Sequence, residues 1–123
     1  MPLSLGLRDE ENERINSAMQ KVIALVFVPD NNWNEADVNQ QLKTLGLDLN
    51  TLNSITATEL IDYIVRYHFD WANMEQFADV LAKLSAKAGL EALKEKGVAL
   101  YNYIQAESKM FSFDIMNKVN SLR

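Results

Sequence analysis

Four capping residues in succession, Asn34, Asp48, Thr56 and Asp70, each stand between an apolar residue immediately before them and another four positions on. The pairs are Trp33 with Val38, Leu47 with Leu52, Ile55 with Leu60, and Phe69 with Met74. A short polar side chain in that place accepts the free amides of a helix's first turn, and the apolar pair closes over it as a hydrophobic staple that sets the direction of entry. Thr56-Ala57-Thr58-Glu59 is also a capping box, in which the hydroxyl takes the third amide and Glu59 reaches back to the amide of Thr56. Start signals repeated in this way commit the chain to a run of helices with short connections.

The apolar spacing between these signals agrees. From Arg8 to Phe27, Ile15, Ala18, Met19, Val22, Ile23 and Val26 recur at helical spacing, with Asp9, Glu10, Glu11 and Glu13 at the positive end of the helix dipole and Pro29 stopping it. A helix is predicted from Glu35 to Leu45, ended by Gly46 in a left-handed cap, then a short turn from Leu49 to Asn53. Two longer helices follow: Ala57 to Tyr67, burying Leu60, Ile61, Ile64 and Val65, and Trp71 to Ala88, burying Phe77, Val80, Leu81 and Leu84. Gly89 favours a break, although a helix continuing through it is the alternative, since an isolated Gly costs a helix only about 1 kcal/mol relative to Ala. The segment from Ala92 to Glu107 sets Leu93, Gly97, Leu100, Tyr101 and Ile104 on one stripe, with Gly97 allowing close approach of a second helix. Ser112 can cap a terminal helix whose edge is Ile115, Val119 and Leu122. The expected fold is therefore all-α, a single domain over residues 1–123 made of about six helices in antiparallel hairpins, with the first helix covering one end of the stack.

Composition narrows the functional classes. With 123 residues the chain can bury a conventional core, and with no Cys it has no disulfide, thiolate nucleophile or thiolate metal ligand. The formal net charge of −5 opposes binding to a phosphate backbone, so no nucleic acid is expected as a partner. The charge is uneven, with 4 basic and 10 acidic residues in 1–62 against 8 and 7 in 63–123. Val22 to Val28 is the longest apolar run, far below the roughly 20 residues of a membrane span. Met1 to Gly6 has no basic stretch leading into an apolar one, so a cytoplasmic protein with no membrane partner is expected.

Chemical motifs are sparse. His68 is the single histidine and stands outside any metal-binding helix motif, so no metal or other cofactor is expected. Its place at the end of the Ile61, Ile64, Val65 stripe suits a partly buried, hydrogen-bonded residue at a helix end. Asp30 to Glu35 opens like a calcium loop but has Glu35 where the turn needs Gly and Gln41 where a bidentate Glu closes the shell. Gly6, Gly46, Gly89 and Gly97 are too far apart for a phosphate-cradling loop, and Glu59 with Asp62 reads as a solvent-facing pair. An enzyme is not expected.

The aromatic residues carry the functional reading. Tyr63, Tyr67, Trp71, Tyr101 and Tyr103 combine apolar bodies with polar tips, a type enriched at partner-binding surfaces, and they are the candidate partner-binding residues. A small interaction or adaptor module is the leading expectation. The alternative is a small ligand-binding protein or enzyme with a pocket between hairpins, using His68 with Asp70 or Asp62. A narrow stripe of Ile115, Val119 and Leu122 also raises a homo-oligomer through the C-terminal helix.

Leu45-Gly46-Leu47-Asp48-Leu49-Asn50-Thr51-Leu52-Asn53-Ser54-Ile55, then Glu59-Leu60-Ile61, then Lys96-Gly97-Val98-Ala99-Leu100-Tyr101 stand in an order that resembles an uncharacterised bacterial family, a domain of unknown function with tetratricopeptide-like helical hairpins. The resemblance spans residues 38–123, with Gly97 at the small-residue position and Tyr101 at the aromatic position of a second repeat helix, and Leu81, Leu84 and Ser85 fitting the first. It implies a right-handed stack of antiparallel helices, a shape that often presents a concave protein-binding face, and it brings no assigned activity to carry over.

Overall fold

The computed structural model describes residues 2–109 and 112–122, with side chains from residue 10 onward, and within them it is all-helical. Seven α-helices follow one another: α1 (Pro2–Val26), α2 (Glu35–Leu42), α3 (Leu49–Ser54), α4 (Ala57–Arg66), α5 (Trp71–Leu84), α6 (Ala92–Glu107) and α7 (Phe113–Leu122). No strand occurs among the described residues.

All four stapled starts form. The Asn34 side chain accepts from the amide of Ala36 at 2.7 Å, Asp48 from Thr51 at 2.7 Å, and Asp70 from Asn73 at 2.8 Å. Thr56 accepts from the Glu59 amide at 3.1 Å while Glu59 accepts from the Thr56 amide at 2.9 Å, which closes the capping box. These amides hold the carboxyls of Asp48 and Glu59 below their ordinary range, Asp48 through Thr51 first and Glu59 through Thr56 first. Trp33, Val38, Leu47, Leu52, Leu60, Phe69 and Met74 are all buried beneath these entries, so the staples also join the core.

Gly46 ends the α2 segment with φ of 74°, and the hydroxyl of Tyr63 lies where a Cβ would stand, so both backbone and space demand glycine. Gly97 has a different role. A Cβ there would lie 3.3 Å from the carbonyl oxygen of Ala78, so its bareness lets α6 close onto α5. That antiparallel pair is the centre of the molecule, with Phe77, Val80, Leu81, Leu84, Leu93 and Leu100 wholly buried. α1 packs lengthwise on α5 and α2, from Glu11 beside His68 to Phe27 beside Lys83.

Several expectations are corrected. α1 begins at Pro2 rather than Arg8. α5 stops at Leu84, because residues 85–90 fold into turns in which Lys87 donates to the Trp33 carbonyl at 3.1 Å and lies 3.9 Å over its ring. Val65 is 40% exposed rather than buried, since α4 presents Leu60 and Ile64 to the core and Tyr63 and Tyr67 to the end of α2. Gly89, with φ of 90°, does break the chain between α5 and α6.

Candidate interaction surface

Five aromatic residues divide among three places. On α4, Tyr63 donates to the Leu45 carbonyl at 2.6 Å and Tyr67 to the Thr44 carbonyl at 3.2 Å, so both phenols fasten the α2 end onto α4. Burial, and then the neighbouring Tyr67, push the Tyr63 phenol above its ordinary pKa. Their rings, 5.6 Å apart, continue inward through Phe69 to Phe77. Tyr101 is buried in α6 and donates to Asp79. Burial raises its pKa, and the hydrogen bond to Asp79 raises it further.

Trp71 and Tyr103 alone come together near solvent. Asp70 caps α5, which places Trp71 at the first helical position with 42% of its surface exposed. The antiparallel run of α6 brings the Tyr103 ring to 6.2 Å from it. Beside Trp71 lies a mainly apolar cleft of about 290 Å³, bounded by Trp71, Ala72, Glu75, Ile104, Ser112 and Ile115. Ser112 starts the far wall, since its hydroxyl accepts from the Ile115 amide at 3.2 Å and its backbone exchanges two hydrogen bonds with the Gln105 side chain.

Next to the cleft sits a polar cluster that sequence reasoning does not single out. Lys118 of α7 donates to Glu75 at 2.7 Å and lies 3.1 Å from Asp79, whose other partner is Tyr101. Burial pulls the Lys118 amine down, but the hydrogen bonds and charges of Glu75 and Asp79 outweigh it and hold the amine above the ordinary lysine range. The available signal was Glu75 and Asp79 standing one helical turn apart, flanked by the apolar positions of α5. Lys96 is a second surprise: it is buried in α6, where desolvation lowers its pKa, and it donates to the Leu52 carbonyl at the end of α3.

His68 forms no constellation with Asp70 or Asp62. It is hydrogen-bonded at a helix end as expected but not partly buried: its side chain is 70% exposed and lies 3.1 Å from Glu11. Its φ of 69° places it in a left-handed helix-end motif, where its amide donates to Val65 and that of Phe69 donates to Ile64. Asp70 is engaged by the Asn73 amide, and Asp62 pairs with Arg66 at 3.3 Å. Ile115 and Val119 are buried within the chain itself, so most of the C-terminal stripe already has its mate. Among the described residues no three metal-ligating side chains gather, and no helix is long and apolar enough to cross a membrane.

Fold and surface together define an all-helical protein with an aromatic-rimmed cleft where α5, α6 and α7 meet. No family model, curated protein or solved structure matches the chain.

Proposed function

We propose that the chain is a small protein-interaction or adaptor module of tetratricopeptide-like type, cytoplasmic and without catalytic activity, which holds a protein partner at the cleft beside Trp71, with Tyr103 next to that ring. The observation that carries this reading is Trp71, a large ring fixed by a capped helix start yet 42% exposed above an apolar floor of Ile104 and Ile115. Tryptophan and tyrosine so placed combine a large apolar contact with little conformational cost, the pattern of an interface anchor. Tyr63, Tyr67 and Tyr101 take no part, because their hydroxyls are bonded to other residues of the chain. The test is affinity capture from the native cell with the full chain, its Trp71→Ala variant and its Tyr63→Phe variant, all checked for helicity. The reading expects a specific protein held by the wild type and Tyr63→Phe and lost by Trp71→Ala; an identical captured set for all three contradicts it.

A further inference from the structure

The cleft under Trp71 is one end of a longer furrow. α7 lies against α5 and α6, parallel to the first and antiparallel to the second, with Ser112 near Trp71, Lys118 between Glu75 and Asp79, and Leu122 near Lys83. Alongside the Lys118–Leu122 end of α7 a second cleft of about 420 Å³ opens, walled by Phe27, Asp79, Ala82, Lys83 and Tyr101. A large apolar ring meets solvent at each mouth, Trp71 at 42% and Phe27 at 49% exposure. On the α7 side each cleft meets a serine, Ser112 at one end and Ser121 at the other. The helix therefore leaves open space beside Ser112 and Ile115 at one end and from Lys118 to Leu122 at the other.

The middle has a chemical preference. Two carboxylates on consecutive turns of α5, Glu75 at 34% and Asp79 at 30% exposure, converge on one ammonium group. Removing that cation would leave two like charges side by side at the edge of an apolar wall, so a helix that brings a positive charge to the same point is favoured over one that does not. α7 itself has ten residues, too few to persist as an isolated helix, and it keeps its place through Ile115, Val119 and this ion pair.

We infer that the α5–α6 furrow is a helix-binding site and α7 its displaceable resident. The partner is an amphipathic helix with a lysine or arginine between Glu75 and Asp79 and apolar residues three positions before it and directly after it. Bulky apolar side chains replace Ser112 and Ser121. This rests on the module reading above and names its partner. Such a helix covers Trp71 and Phe27 together, which α7 does not, and that added apolar burial offsets the local concentration, of millimolar order for a short tether, that favours the resident.

The probe is a labelled peptide with the sequence of residues 112–122 in which both serines are leucine, beside a twin in which the lysine is also glutamate. Fluorescence anisotropy is read on the full chain and on its Ile115→Ala variant, with helicity confirming that the variant is folded. The expected result is binding at least about tenfold tighter to Ile115→Ala than to wild type, and at least about tenfold weaker for the glutamate twin. A Glu75→Lys chain should narrow or reverse the preference between the two peptides. A folded Ile115→Ala chain that ignores both peptides, or binds them equally, overturns the proposal. If capture depends on Trp71 while the peptides are ignored, the furrow proposal fails and the module reading stands; if the peptides are told apart by charge while capture ignores Trp71, the furrow stands and that reading fails.

Discussion

Of the helices that α6 packs against, α5 and α7 form seams that differ in kind. Toward α5, Gly97 brings the backbones together, and Leu81, Leu93 and Leu100 interlock with no solvent access. Toward α7, which α5 and α6 hold together, the contact rests on Ile115 and Val119, a lysine between two carboxylates of α5, and clefts on either side of Ile115. A dry, interdigitated seam accepts one partner only, because any change of side-chain volume leaves a void or a clash. A shallow furrow with a central charge preference and open ends selects by pattern, and can exchange what it holds.

The largest expected effect comes from breaking the first seam. Leu81→Ala empties space in the α5–α6 core and should cost about 2–5 kcal/mol of global stability, read as a lower urea midpoint shared by every helix. Alkaline titration distinguishes the second seam. The Tyr101 phenol is raised by burial above its ordinary value of 10.0, so the unfolded chain ionises first and stability falls as pH climbs past that value. Lys118 is raised above 10.5, so its contribution is complete below that value and disappears as pH rises through the folded value. Both groups touch Asp79, so helicity followed from roughly pH 9 to 12 should fall with a steeper slope in wild type than in Lys118→Met. The smallest effect is a gain. Ser121→Leu places apolar surface in the Phe27 cleft and should strengthen α7 docking by about 1 kcal/mol or less, seen as slower amide exchange in α7 with little change in the global midpoint.

Much of the fold was legible because its signals are local. Asn34, Asp48, Thr56 and Asp70 are read within five residues of themselves, and each starts a helix where its staple places it. Gly46 and Gly97 were equally legible, one from its position after an apolar stripe and one from its position within it. What escaped depends on contacts between distant segments. Periodicity alone places Val65 on the buried stripe of α4, but the phenols of Tyr63 and Tyr67, bonded to carbonyls eighteen and twenty-three residues away, turn the helix so that Val65 faces outward. Lys96 reads as a surface residue until α3 brings the Leu52 carbonyl to its amine, forty-four residues off in sequence.

The candidate surface was half legible for the same reason. Aromatic residues could be recognised as anchors by type, yet only the antiparallel pairing of α5 with α6 shows that Trp71 meets Tyr103. Tyr101 stands two positions before Tyr103 and faces inward, an outcome that helical spacing allows and that the α5 packing decides. The Glu75, Asp79 and Lys118 cluster needed α7 folded back over α5, and while Ser112 and the short connection encode a return antiparallel to α6, they do not say which face of α5 it meets.

Native-state hydrogen exchange on the amides of Leu100 and Val119 tests the contrast between the two seams most directly. The account expects Val119 to exchange through a local opening, at a free energy well below that of global unfolding and insensitive to low urea, while Leu100 exchanges only when the whole chain unfolds. If the two amides share one free energy and one dependence on urea, α7 is as permanent as the core and the furrow has no exchangeable occupant.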